Sequence, residues 1–160
     1  LKPGGGVFFY KPEITGTPGG YYDWVGARKL TMGDTGGAMH QTTSIQQAEL
    51  QYGRYDGSLR FLIQFNDLLN EDTRLFIHLT KPVVQNLQVY PPVKGNQAAL
   101  VENRIEGIVE LSDAGIEPQQ EVWFFFQFEP SGKPAFSLPQ DSELYLQGYT
   151  TANASIYWFL

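Results

Sequence analysis

Residues 121–129 read Glu-Val-Trp-Phe-Phe-Phe-Gln-Phe-Glu. Every second residue, Val122, Phe124, Phe126 and Phe128, is apolar, which is the signature of a strand with one side in a core. The opposite side holds Glu121, Trp123, Phe125, Gln127 and Glu129. A strand covered on one side should be polar on the other. Trp123 and Phe125 break that rule, so the same nine residues suggest a fold and raise a functional question.

Outward from this stretch the period of two recurs. Ser58–Asn66 sets Leu59, Phe61, Ile63 and Phe65 against Arg60, Gln64 and Asn66. Ser44–Arg54 sets Ala48, Leu50 and Tyr52 against Gln47, Glu49 and Gln51. Between them Tyr55-Asp56-Gly57 supplies Asp-Gly, a frequent hairpin turn. Arg74–Thr80 repeats the pattern through Leu75, Ile77 and Leu79, and Asn86–Tyr90 is shorter and is stopped by Pro91-Pro92. Leu100–Ser112 fits two periods. Glu102, Glu106 and Glu110 recur at helical spacing, but Gly107 and the β-branched residues favour one strand. In that strand Val101, Ile105, Val109 and Leu111 face in, and Glu102, Arg104, Glu106 and Glu110 form a solvated row. Ser131–Pro134 reads as a turn, Asn66–Thr73 as at most one turn of helix, and Glu143–Thr150 and Ser155–Leu160 as closing strands.

These strands and the lack of crossover helices predict one all-β domain over 1–160, an antiparallel two-sheet β-sandwich, with a jelly roll as the specific form. Residues 1–43 form a loop-rich, Gly/Pro-rich N-terminal arm that holds the first strands. Within it lie the apolar run Val7–Tyr10 and a strand inside Tyr21–Met32. Residues 44–160 hold the core strands.

Composition excludes several functions. The 160 residues include 17 acidic and 11 basic side chains, for a formal charge of −6. That suits neither a phosphate-binding surface nor sequence-specific nucleic-acid recognition. With no cysteine there is no disulfide, thiolate metal site or cysteine nucleophile. The two histidines, His40 and His78, lack metal-ligand spacing and read as surface residues. Neither Gly-x-Ser-x-Gly nor Ser-x-x-Lys occurs. Neighbours in the Glu102, Glu106, Glu110 series stand about 13 Å apart along a strand, too far for a retaining glycosidase pair. The donors Asn66, Asp67, Asn70, Glu71 and Asp72 lack EF-hand spacing and read as a solvated turn. Asp34-Thr35-Gly36 matches the aspartic-protease tripeptide in a single copy. The expectation is a non-enzyme without cofactor or metal. No apolar run reaches the ~18 residues of a membrane-spanning helix, and a chain beginning at Leu1 is expected to be processed or trimmed.

What remains is an aromatic surplus. Trp123 and Phe125 face away from the core side, and Val7–Tyr10 and Ile156–Leu160 are apolar on both sides. Such surfaces need a cover. It can be the chain's own loops, another subunit, or a sugar stacked on the rings.

The Gly/Pro-rich arm Leu1–Gly20, the strands from Ser44 to Leu160 and the apolar end Ser155–Leu160 together resemble single jelly-roll coat proteins of icosahedral viruses. The closest type is that of tailless, membrane-containing bacteriophages. The resemblance implies a capsid subunit of a virion that associates with itself, with other coat subunits and with membrane-associated virion components. Many coat proteins that package RNA carry a long basic arm, which this chain lacks. Phe8, Phe9, Tyr10, Trp123, Phe125, Tyr157 and Phe159 are the expected contact residues. The alternative is a secreted, non-catalytic module that binds polysaccharide through exposed Trp and Tyr.

Overall fold

The apolar sides of 58–65 and 122–129 face each other across the middle of a two-sheet sandwich. The computed structural model describes residues 6–7, 28–32, 48–66, 72–93 and 96–149. Its strands are β1 (Gly6–Val7), β2 (Arg28–Met32), β3 (Ala48–Tyr55), β4 (Ser58–Phe65), β5 (Arg74–Lys81), β6 (Gln85–Tyr90), β7 (Gln97–Val101), β8 (Arg104–Glu110), β9 (Val122–Glu129), β10 (Phe136–Leu138) and β11 (Leu144–Leu146). One sheet runs β1-β3-β4-β8-β7, with β2 also on β3; the other runs β10-β9-β5-β6, with β11 also on β9. All pairings are antiparallel except β1 with β3. The run Phe8–Tyr10, the strand expected at Ser155–Leu160 and most of the turn expected at 66–73 lie outside the described residues.

The all-β, antiparallel two-sheet sandwich is as the alternation predicts. The path through it differs from the jelly roll. Hairpins β3/β4, β5/β6 and β7/β8 each stay within one sheet, whereas a jelly roll sends most successive strands to opposite sheets. The orders β3-β4-β8-β7 and β10-β9-β5-β6 follow the A-B-E-D and G-F-C-C′ strand order of the immunoglobulin Greek key. Periodicity fixes which residues face inward, not which strands pair, so both paths fit one pattern.

The core follows from the alternation. Leu59, Phe61, Ile63 and Phe65 of β4 and Val122, Phe124, Phe126 and Phe128 of β9 are all buried. Rings meet across the sheets: Tyr52 with Phe124 at 5.8 Å, Phe61 with Phe126 at 5.0 Å, and Phe65 with Phe128 at 5.1 Å. Each buried side chain of this size contributes about 1.5–3 kcal/mol, and edge-on or tilted ring pairs add about 0.5–1.5 kcal/mol. Phe61 lies over its cross-strand partner Gly107; a Cβ there would come 2.6 Å from the ring.

Leu100–Ser112 is two strands, not one. β7 and β8 turn at Glu102, which adopts φ 56°. The Phe65 N–H donates to the Asn103 carbonyl at 2.8 Å, and the Asn103 amide donates back to the Phe65 carbonyl. The turn leaves Val101 41 % exposed rather than inward. Leu111 is buried, but in a 3-10 turn over Leu111–Ala114. The Glu series is no solvated row either. On the outer side of the first sheet, Glu106 accepts from Arg60 at 2.7 Å, with their side chains 5 % and 2 % exposed.

A second buried guanidinium closes one end of the sandwich. Arg54 continues the inward phase of Leu50 and Tyr52 and is fully buried. It donates to the carbonyls of Asp56 at 3.2 Å, Gln147 at 3.1 Å, Glu117 at 2.9 Å and Gln120. The Tyr149 N–H donates to the Pro118 carbonyl at 2.7 Å. Gly148 lies so close to Gln119 that a Cβ would meet its carbonyl oxygen at 2.2 Å. Burial pushes Arg54 down from its ordinary value to about 10, opposed by the Asp56 charge.

Two outcomes follow for urea unfolding. Arg54→Met leaves backbone carbonyls without their donor and should lose about 3 kcal/mol or more. Arg54→Lys, without the planar fork, should recover little of it. Because the folded pKa lies below the unfolded one, Arg54 makes stability rise with pH only above about 10. The loss in Arg54→Met should therefore be the same throughout pH 5–9. Separately, Glu106→Ala takes a carboxylate partner from a buried cation and should cost about 3 kcal/mol. A single variant as stable as the wild-type chain would contradict the corresponding account.

Candidate functional site

With Phe124, Phe126 and Phe128 committed to the core, period two sends Trp123, Phe125 and Gln127 to the outer face of the second sheet. The register builds rows across that face. Trp123 stands between Tyr145 of β11 and Lys81 of β5. Phe125 pairs with His78, which pairs with Asn86 of β6. Gln127 lies between Ser137 of β10 and Phe76, whose other partner is Gln88. Glu129 faces Arg74 at the far end, their side chains 3.1 Å apart.

Neighbouring rings touch. His78 stacks on Phe125 at 4.8 Å and 20°, and Trp123 meets Tyr145 at 4.9 Å. The Lys81 ammonium stands 5.6 Å from the centre of the Trp123 ring, and the Arg74 guanidinium 6.0 Å from that of Phe76. Trp123, Phe125, Phe76, His78 and Tyr145 are all half-buried. β11 is fastened from both sides. The Tyr52 hydroxyl reaches from the core to donate to the Tyr145 carbonyl at 3.1 Å, and the Tyr145 hydroxyl donates to the Glu121 carboxylate.

β10 and β11 lie end to end along one edge of β9, pairing with residues 126–128 and 122–124. The chain between them, 139–143, forms the wall of a groove of about 510 Å³. Lys81, Trp123, Phe125 and Ser137 line its sheet side, and Pro139, Gln140, Asp141, Ser142 and Glu143 its loop side. Glu143 is held against the sheet by the Thr80 hydroxyl, which also lies 3.2 Å from the Trp123 carbonyl.

A second concavity, of about 550 Å³, opens near the Arg54 end and includes Tyr55, Asp56, Ser58 and Glu110. There the Ser58 hydroxyl is 2.9 Å from both Glu110 carboxylate oxygens. Tyr55 packs on Tyr149 at 5.7 Å. Burial foremost, then the charges of Tyr55 and Asp56, push the Tyr149 phenol above its usual value.

Of the residues expected to make contacts, Trp123 and Phe125 sit side by side on the outer face. Phe8, Phe9, Tyr10, Tyr157 and Phe159 lie outside the described residues, as does His40. His78 is part of the ring surface rather than an isolated surface histidine. Glu102, Glu106 and Glu110 separate into a turn, a buried ion pair and the second concavity. Among the described residues no group of three His, Asp or Glu side chains is placed to hold a metal ion. Phe76, His78 and Tyr145 are not among the contact residues expected from the sequence. Phe76 and His78 do alternate with Leu75, Ile77 and Leu79, and that phase was the available signal. Compared with protein-family models, curated proteins and solved structures, the chain matches none of them.

The Tyr149 shift has a measurable consequence. Its phenol should ionise above the usual 10 in an ultraviolet titration, and Asp56→Asn should bring it down. Since the folded chain holds that proton more tightly than the unfolded one, Tyr149 makes stability fall with rising pH above about 10. An unshifted phenol in the wild-type chain would contradict the packing at this end.

Proposed function

We propose that this protein is a non-catalytic structural subunit that associates with neighbouring subunits, its own copies first, through the outer face of its second sheet. The observation behind this reading is the surface formed by Trp123, Phe125, Phe76, His78 and Tyr145 on one locked register. Rings of this kind dominate the buried centres of protein interfaces, because they remove much apolar area from water with little loss of side-chain freedom. Arg74, Lys81, Glu129 and Glu143 stand around the rings, as polar groups do at an interface rim. In a symmetric assembly each weak contact is multiplied by its repeats. A virus coat is one such assembly. Its likeness to this chain lies in the Gly/Pro-rich arm Leu1–Gly20, the run of strands from Ser44 and the apolar end Ser155–Leu160; because the strand order departs from a jelly roll, the proposal is an assembly subunit in the wider sense, with a virus coat as one form of it. Phe8–Tyr10 and Tyr157 with Phe159 supply further apolar contacts in the same reading.

Trp123→Ala and Phe125→Ala test it. Sedimentation equilibrium should show self-association weakened by about 2 kcal/mol or more, as for truncated interface anchors. Melting temperatures should move by only about 3 °C, since neither ring fills the core. Unchanged association would remove this face from the interface. Equal losses of association and stability would make the two rings fold positions.

A further inference from the structure

The groove beside the ring surface has a chemistry that subunit contact does not require. Its floor includes two side chains from one strand face, Trp123 and Phe125, and its rim is Ser137, Gln140, Asp141, Ser142 and Glu143. Hydroxyls, an amide and carboxylates set around aromatic rings fit a ligand that is apolar on its faces and hydroxylated at its edges. At about 510 Å³ the space is within the ~300–1,000 Å³ range of small-ligand sites.

We infer that the groove between β9 and residues 139–143 binds a neutral saccharide chain. Phe125 is stacked on His78 and Lys81 stands over Trp123, so sugar C–H bonds would meet the ring area these neighbours leave, while the rim groups accept from and donate to the sugar hydroxyls. Charge decides the kind of sugar. Among the described residues, Lys81 is the one cation lining the groove, against Asp141 and Glu143, and the chain carries −6. Uronic and sulfated polymers are therefore disfavoured. The topology disfavours an extended peptide. A peptide strand binds by adding to an open sheet edge, and the edge of β9 at the groove is already paired with β10 and β11. Lys81 lies over Trp123, so a sugar must displace its ammonium or stack beside it.

Trp123 and Phe125 belong to both surfaces, so a sugar in the groove competes with a neighbouring subunit for these two rings; the inference goes beyond the assembly reading, and its test reads sugar binding alone. Native affinity electrophoresis of the intact chain would use gels containing xylan, xyloglucan, mixed-linkage β-glucan or galactomannan, with polygalacturonate as the anionic comparison. At least one neutral polymer should retard the wild-type protein, and polygalacturonate should not. Trp123→Ala and Gln140→Ala should each bind that polymer about tenfold more weakly, with circular dichroism and melting confirming that both fold. Gln140 is an exposed loop residue, which keeps the test valid if Trp123→Ala is poorly folded. No retardation by any of the four neutral polymers, preference for polygalacturonate, or undiminished binding by both variants would overturn the inference. A monomer that binds sugar would sink the assembly reading and leave this one standing.

Discussion

A strand has two sides, and committing one of them decides the other. β9 gives Val122, Phe124, Phe126 and Phe128 to the core, where three of them meet rings from the opposite sheet. Sliding β9 by one residue would bring Trp123, Phe125 and Gln127 inward and expel three phenylalanines, which burial energies of about 1.5–3 kcal/mol per side chain forbid. Trp123 and Phe125 are thus held outward by the same interactions that hold the sandwich closed. Their partners follow from pairing: β5 brings His78 and Phe76, β11 brings Tyr145, and the link between β10 and β11 walls the groove. The proposed contact surface is the reverse side of the core.

Among the described residues two guanidiniums are buried, and their solutions differ. Arg60 meets a carboxylate, Glu106, within the first sheet. Arg54 is satisfied mainly by backbone carbonyls from connections that have no ladder of their own. Carbonyls in loops are as costly to bury unpaired as any other polar group. One fork-shaped cation therefore serves β3, the segment after the 3-10 turn, and the chain leaving β11. The close approach of Gly148 to Gln119 belongs to the same closure. These contacts hold the chain just after β11 and so help to keep Tyr145 beside Trp123.

Strands were legible in the sequence wherever alternation was clean: Ser58–Asn66 became Ser58–Phe65, and Glu121–Glu129 became Val122–Glu129. The break at Glu102-Asn103 was hidden because neither residue is a glycine and the inward phase of Ile105 and Val109 runs on from Leu100-Val101. The three-residue β10 is too short to carry a period. Charged letters misled most. Glu106 was placed in solvent by its type, and Arg54, in phase with Leu50 and Tyr52, was given no inward role. Trp123 and Phe125 stood out because they violate a rule that one strand can reveal. His78, Phe76 and Tyr145 join them only through register, and the groove only through the course of residues 139–143. Both depend on which strands pair, which no single-strand pattern encodes.

The central claim is that the ring surface on the outer face of the second sheet is covered by another subunit. Static light scattering of the intact chain across a concentration series tests it most directly. The account predicts a mass that rises above the 18.0 kDa of one chain toward a defined multiple as concentration increases. A mass fixed at one chain over the whole series would contradict it.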